Sequence, residues 1–198
     1  MGTRGFKVIQ LMLVVWLLFG VYPSTVIGQE QRAISLPHQM IIAASSGKVP
    51  DIKSLLDLGV EINMLDSIGS TPLIFAARYG RTEAVQYLVQ RGANINAKTS
   101  RGSTALREAV RKGDFVSAHI LLDAGAELES SGTDGETALF DAIRHRHIEG
   151  VSDLLERGAN PNVVNRAGST SLCIANQTGI QPIITSLRRF GAADGSCS

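Results

Sequence analysis

The chain has 198 residues, of which 44% are hydrophobic and 19% charged, and this is enough apolar material for one folded core. Its formal net charge at pH 7 is +1, and two basic residues, Arg4 and Lys7, precede the first acidic residue. The rest of the chain is therefore close to neutral. This argues against general binding to nucleic acids or to membrane surfaces, because both require a basic excess.

Residues 1–28 have the pattern of a secretory signal peptide. A short basic segment is followed by a nearly unbroken apolar run from Val8 to Tyr22, and Val26 and Gly28 stand where a signal peptidase reads small or neutral side chains. We expect cleavage after Gly28, with residues 29–32 as a short linker. An uncleaved membrane anchor is the alternative, although the apolar run is shorter than the roughly 20 residues of a spanning helix.

One pattern is repeated along the rest of the chain at a period of 33 residues. Thr71 recurs at this period as Thr104, Thr137 and Thr170. Gly92 recurs in both directions, as Gly59, Gly125, Gly158 and Gly191. A fixed period of this size indicates stacked supersecondary units, each of which buries its apolar side against its neighbours.

The unit from Asp66 to Lys98 predicts a turn, a short helix, a second helix and a loop. Thr71 is suited to cap the first helix with its hydroxyl, and Pro72 to occupy the first helical position, where an amide has no partner. In the second helix the buried stripe is predicted by three- and four-residue spacing, at Val85, Leu88 and Val89. Gly92 follows the end of that helix, where the backbone usually turns left-handed.

The segments Gly69-Ser-Thr-Pro-Leu73, Ala76-Ala77 and Gly92-Ala-Asn-Ile-Asn96 resemble the ankyrin repeat. The resemblance implies an all-α solenoid of about five helix-turn-helix repeats joined by β-turn loops. It spans residues 33–193, followed by a tail at 194–198. The repeats are expected at about 33–65, 66–98, 99–131, 132–164 and 165–193. The family's histidine position holds Ile74, Arg107, Phe140 and Cys173, so the hydrogen bonds of that histidine are expected to be missing.

Motifs for catalysis and cofactor binding are missing from the sequence. It has no nucleophile elbow, no zinc-protease motif and no phosphate-binding glycine loop. His145 and His147 flank Arg146, and as metal ligands they lack a third partner, while the cation between them opposes metal binding. We therefore expect no catalytic residue, no metal site and no cofactor.

Cys173 and Cys197 are the two cysteines of the chain. An exported protein enters an oxidising compartment, where a disulfide between them would hold the C-terminal tail across the last repeat. The alternative is a buried thiol at Cys173 and a loose thiol at Cys197. The sequence leaves both open.

A basic column is the candidate binding surface. Arg78, Arg111 and Arg144 share one position at the ends of successive first helices. The next position holds Tyr79, Lys112 and His145. In the family these positions face a concave groove, together with turn residues such as Arg101. A solvated helix end is the alternative, since basic residues suit a helix C-terminus and pairs such as Glu108 with Lys112 or Asp141 with His145 would partly neutralise the column.

The resemblance implies a non-catalytic protein-protein interaction module that binds its partner through the groove. The basic column predicts an acidic partner surface, and we expect a monomer that binds neither nucleic acid nor, after cleavage, a membrane. The signal-peptide pattern predicts an exported protein, located in a bacterial periplasm or secreted. A membrane-tethered scaffold with an uncleaved N-terminus and a secreted effector acting on host proteins are the alternatives.

Overall fold

The structure is a computed structural model that describes residues 35–194 and Cys197. The chain divides into two units, Met1–Ser35 and Leu36–Ser198, and of the first unit only Ser35 is described. The predicted signal peptide at 1–28 and linker at 29–32 lie outside the described residues. Among the helices that are described, none has the length and hydropathy needed to traverse a membrane.

Helices make up the regular structure of the described residues, and they alternate between the first and second helix of each repeat. The five first helices are α1 (Leu36–Ser46), α3 (Pro72–Arg78), α5 (Ala105–Lys112), α7 (Ala138–Arg144) and α9 (Ser171–Thr178). The five second helices are α2 (Val49–Asp57), α4 (Thr82–Gln90), α6 (Phe115–Asp123), α8 (Ile148–Glu156) and α10 (Gln181–Arg189). The predicted all-α repeat solenoid is confirmed.

The repeated threonine precedes four of the five first helices, α3, α5, α7 and α9, as predicted. The hydroxyl oxygens of Thr71, Thr104 and Thr170 accept hydrogen bonds at 3.3, 3.3 and 3.2 Å from backbone N–H groups three residues later. Thr137 has the same extended backbone without that side-chain bond. Pro72 occupies the first turn of α3. Each bond satisfies a backbone donor that the helix itself leaves unpaired, so the cap fixes where the helix begins.

The repeats stack through two rows of helices, with first helices packed on first helices and second helices on second helices. Small side chains lie between the first helices, and the residues Ala76, Ala109, Ala142 and Ala175 are fully buried. Large side chains fill the second row, where Leu88, Leu121, Leu154 and Leu187 are fully buried at equivalent positions. This confirms the predicted stripe at Val85 and Leu88, whereas Val89 is only partly buried.

Backbone hydrogen bonds also join the turns of successive repeats. Ile68, Arg101 and Asp134, at the tips of three turns, each accept through the backbone oxygen a bond of 2.9 Å from the next turn. The donors are the N–H groups of Ser100, Thr133 and Arg166. Because each of these tips is bonded through its backbone to the next turn, the three tips are held in register along the stack.

A left-handed backbone separates the two helices of each repeat. Four repeats use glycine at this position, at Gly47, Gly80, Gly113 and Gly179. The fourth repeat has Arg146 there, with a φ of 62°. A side chain with a Cβ atom is disfavoured in this conformation, because the Cβ approaches the following carbonyl oxygen.

The structure contains a disulfide between Cys173 and Cys197, whose Cα atoms lie 5.5 Å apart. Cys173 is 2% exposed in α9, and the bridge ties the C-terminal tail to this helix. Of the two alternatives that the sequence leaves open, the structure therefore contains the bridged state.

Candidate functional site

The candidate site lies on the surface that we call the groove face. It is formed by the turn tips Ile68, Arg101 and Asp134 and by the side chains that α3, α5 and α7 present beside those tips. A pocket of about 600 Å³ opens on this face. Ile68 lines it together with four arginines and two carboxylates, namely Arg78, Arg101, Arg107, Arg111, Glu108 and Asp134.

Arg78, the first member of the predicted basic column, is paired. Its guanidinium contacts the carboxylate of Glu108 in the next repeat, with both N–O distances at 3.4 Å. The Arg78 side chain is 29% exposed and also lies over the ring of Phe75, 5.3 Å from the centroid. Much of its charge is therefore already matched within the protein.

Arg111, the second member, lies between two carboxylates without a hydrogen bond to either. Its guanidinium nitrogens are 3.7 Å from Glu108 and 3.6 Å from Asp141. Both distances exceed the range of about 2.7–3.2 Å for N–H···O hydrogen bonds. The side chain is 44% exposed and lines the pocket. Its N–H groups therefore remain available to a further acceptor.

Arg144, the third member, is held by Glu136 in the turn of its own repeat. The Arg144 Nε donates to both carboxylate oxygens at 3.1 and 2.9 Å, and Nη2 donates to one of them as well. Asn165 donates a further hydrogen bond of 3.1 Å to Glu136. The hydrogen bond to Glu136 raises the pKa of the Arg144 guanidinium above its usual value. The column is therefore not a row of three equivalent arginines pointing into solvent.

The expected pairs along single helices are wrong. Glu108 accepts a 2.7 Å hydrogen bond from the Ser103 hydroxyl and meets arginines instead of Lys112. The contact of His145 to Asp141 is from Nδ1 to the backbone oxygen, at 2.9 Å, and not to the carboxylate. Both carboxylates are nearly buried between first helices, at 9% and 5% exposure. Each therefore contacts an arginine of the preceding repeat, and Glu108 also lies near Arg111 of its own helix, while Lys112 and the His145 ring contact neither carboxylate.

Arg107, which was not among the predicted binding residues, is the centre of the charged cluster. It occupies the family's histidine position and is 5% exposed. Its Nε donates to Asp141 in the next repeat at 2.6 Å, and its Nη2 lies 3.6 Å from Asp134. The hydrogen bonds expected to be lost with the histidine are thus replaced in this repeat by an ionic contact. The signal in the sequence was the presence of opposite charges at the facing positions 107 and 141.

The protonation states follow from burial and from the arginine contacts. Burial opposes the charge of Arg107, but the hydrogen bond to Asp141 and the two nearby carboxylates outweigh it and raise the pKa of the guanidinium. Burial raises the pKa of the Asp141 carboxyl, against the effects of Arg107 and Arg111. Asp134 is slightly desolvated, yet the backbone N–H of Glu136 and the charge of Arg107 lower its pKa.

The other predicted binding residues are more accessible. Arg101 is exposed at its turn tip and, within the described residues, its guanidinium has no ion pair or hydrogen bond. Tyr79 is 47% exposed at the end of α3. Lys112 and His145 are exposed at the ends of α5 and α7. Of these four residues, Arg101 alone lines the pocket.

The character of the groove face changes along the stack. One position of the first helices holds Ile42 and Phe75 in the first two repeats and Glu108 and Asp141 in the next two. Ile42 is 43% exposed, and Ile68 at the edge of the pocket is 49% exposed. The exposed apolar side chains Ile42 and Ile68 therefore lie in the first two repeats, and the carboxylates Glu108 and Asp141 lie in the next two.

The histidines form a separate contact in the fourth repeat. His145 and His147 stack with ring centroids 6.0 Å apart, and His147 packs edge-on against Phe115 at 5.4 Å. In the part of the chain that the structure describes, no group of three or more histidine, cysteine, aspartate or glutamate side chains is placed to hold a metal ion.

Comparison with known proteins identifies the repeats. The family model described as ankyrin repeats (3 copies) matches residues 40–132 and 101–165. The two matches together extend over more than half of the sequence and include every repeat that contributes to the pocket. A comparison with curated protein sequences found no significant match.

Proposed function

Because the chain belongs to the ankyrin-repeat family, whose arrays are protein-protein interaction modules, we propose that it acts outside the cytoplasm and binds a protein partner on the groove face. Ankyrin repeats generally bind proteins and are typically non-catalytic. The proposed partner carries acidic groups, and the protein is proposed to bind it as a monomer, without a cofactor and without nucleic acid.

The observation that carries the proposal is the pocket on the groove face. Arg101 and Arg111 line it with guanidiniums that make no hydrogen bond to a carboxylate, and Ile68 adds an exposed apolar surface. Tyr79 lies at the end of the same helix row and is half exposed. Arginine and tyrosine beside apolar surface are the residue types that commonly dominate protein-protein binding energy.

Two features support a site of action outside the cytoplasm. The N-terminal sequence has the pattern of a signal peptide. The protein also has a disulfide between Cys173 and Cys197, and structural disulfides persist mainly in oxidising compartments such as the periplasm and the extracellular space. The proposed location is therefore the periplasm or the medium. The intact mass and cell fraction of the purified protein test it, since a cytoplasmic protein that retains Met1 would contradict it.

The binding surface is tested by site-specific photo-crosslinking in cells. In one variant a photoreactive amino acid replaces Tyr79, on the first-helix row. In the other variant it replaces Val116, which lies on α6 and is 63% exposed. We expect a discrete crosslinked protein from position 79 and none from position 116. A partner that crosslinks from position 116 and not from position 79 would place binding on the second-helix row and overturn the proposal.

A further inference from the structure

We infer that the pocket on the groove face binds a single carboxylate of the partner between Arg101 and Arg111, with a neighbouring apolar side chain of the partner packed on Ile68. The carboxylate belongs to an aspartate or glutamate side chain or to the C-terminus of a polypeptide. This inference rests on the proposed function and specifies the chemistry of its site.

The charges that line the pocket do not cancel. Four arginines and two carboxylates contribute to its lining. Arg107 is engaged by Asp141 and Asp134, and Arg78 is engaged by Glu108. Even when the buried carboxylate of Asp141 is added to the two in the lining, one positive charge remains without a matching negative charge. The pocket therefore attracts an anion.

Two guanidiniums in the pocket have N–H groups that make no hydrogen bond to a carboxylate and can hold that anion. Arg101 has no hydrogen-bonding partner for its side chain among the described residues, and Arg111 lies 3.6 and 3.7 Å from its carboxylate neighbours. An arginine has five N–H donors in a planar fork, which matches the two oxygens of a carboxylate. A carboxylate in the pocket would form bonds of about 2.7–2.9 Å that neither arginine makes at present.

The pairing of the other arginines limits the site to one carboxylate. Arg144 already uses its fork on Glu136, and Asn165 strengthens that arrangement. A second carboxylate of the partner at Arg144 would have to displace Glu136, whose side chain is 9% exposed. Spaced acidic residues that match all three arginines of the column are therefore not required.

The apolar requirement follows from the position of Ile68. This side chain is 49% exposed, lines the same pocket and is tied by its backbone to the turn that carries Arg101. A partner segment that places its carboxylate between the arginines would cover Ile68 with the adjacent residue. The preferred ligand is thus a peptide segment in which an acidic group neighbours an aliphatic or aromatic side chain.

The test compares three pools of nine-residue peptides on the full-length protein, purified oxidised and immobilised. All pools are acetylated at the N-terminus, and their random positions exclude aspartate and glutamate. The first pool has glutamate at the centre and an amidated C-terminus. The second has glutamine at the centre and the same amide, and the third has central glutamine and a free C-terminal carboxylate. Retained peptides are quantified by mass spectrometry.

We expect the first or the third pool to be retained at least about tenfold better than the second, as the loss of a charged hydrogen-bond partner implies. Whichever of the two is retained identifies the source of the carboxylate. Enriched peptides should carry an apolar residue next to the acidic group. Arg101→Gln and Arg111→Gln should each remove the preference, whereas Arg91→Gln, at an exposed position in the second-helix row, should keep it.

Equal retention of the three pools, or retention of none, overturns the inference. We expect Arg101→Gln to fold normally, because among the described residues this side chain has no ion pair to lose. A loss of binding in this variant therefore reports on the site and not on a folding defect. If the pools are not distinguished while the crosslink from position 79 persists, the carboxylate site is wrong and the protein-binding function stands. If that crosslink is also absent, both are wrong.

Discussion

Arg107 and Asp141 form a buried ion pair that joins the third repeat to the fourth, with 2.6 Å between Nε and Oδ2 and 5% exposure of each side chain. Equivalent positions of Arg107 in the second and fourth repeats hold the apolar side chains of Ile74 and Phe140. The centre of the stack therefore has an ionic contact at a position where the adjacent repeats have apolar packing.

Removal of one partner of this pair should be costly. Arg107→Met leaves the Asp141 carboxylate buried without its closest cation, and we expect the free energy of unfolding to fall by about 3–5 kcal/mol. Arg157→Met is the matched control, because Arg157 pairs with an Asp123 side chain that is 71% exposed, and such pairs contribute at most about 1 kcal/mol. Urea unfolding followed by circular dichroism measures both. Equal effects of the two substitutions would show that the buried pair is not a stability determinant.

Asp134 should contribute a stability term that disappears in acid. Its folded-state pKa is lowered from the ordinary value of 3.8 by the Glu136 N–H and Arg107, so its contribution is present above pH 3.8 and is lost as pH falls through the folded pKa. Asp134→Asn keeps an oxygen for the N–H but removes the charge. The melting temperature of this variant should lie below that of the native protein at pH 7, and the two should converge as the pH falls below 3.8 through the folded-state pKa of Asp134. The effect should be small because the Asp134 side chain is 53% exposed. A difference in melting temperature that does not change with pH would show that the charge of Asp134 does not stabilise the folded protein.

Replacing Arg146 by glycine should stabilise the protein. Arg146 has a φ of 62° at a position where the other four repeats have glycine. Glycine adopts the left-handed conformation without strain, and this should stabilise the protein. The substitution also removes the exposed hydrogen bond from Arg146 to the backbone oxygen of Thr178. The net increase in the free energy of unfolding should be about 0.5–1 kcal/mol. The reverse change in the next repeat, Gly179→Arg, should destabilise the protein although no atom lies within 4 Å of the added Cβ. Chemical unfolding measures the stability of both variants. A loss of stability in Arg146→Gly would show that the left-handed conformation of Arg146 does not cost stability.

Leu121 tests the packing of the second-helix row. The side chain is fully buried in α6, and Leu121→Ala should lower the free energy of unfolding by about 2–5 kcal/mol through lost burial and a cavity. Leu58→Ala serves as the control because Leu58 is 67% exposed. Thermal and urea unfolding measure the difference. A cost for Leu121→Ala below about half a kcal/mol would mean that the register of this helix is wrong.

Loss of the disulfide should destabilise the C-terminal repeat. The bridge closes a loop with a sequence separation of 24, and a bridge of this kind contributes about 2–4 kcal/mol. Cys197→Ser should therefore lower the free energy of unfolding by this amount. Reductant should lower the free energy of unfolding of the native protein to the value of the variant. Added reductant should not change the variant further. Alkylation of both cysteines in the denatured, unreduced native protein would exclude the bridge.

The repeat period and the caps could be predicted from the sequence because they depend on local backbone chemistry. The threonine that recurs at the position of Thr71 precedes a helix in each repeat that contains it. The spacing of Val85 and Leu88 defines the buried side of the next helix. The contacts of Arg107 and Arg144 could not be predicted in this way. Each depends on which direction a long side chain takes between packed helices, and the alternative partners along the same helix, such as Lys112 for Glu108, were compatible with the spacing.

The change of the first-helix position from Ile42 and Phe75 to Glu108 and Asp141 makes the apolar repeats and the charged repeats non-interchangeable. Similar neighbouring repeats in one polypeptide offer alternative stacking partners during folding, and exchange between two molecules offers more. If the fourth repeat were stacked on the second, Asp141 would face Ile74 and would lose its closest cation, because only Arg78, at the position equivalent to Arg111, would remain near it. The buried charge thus disfavours stacking of the repeats in the wrong order. The order of the repeats is therefore specified by the side chains at their contacts as well as by their order along the chain.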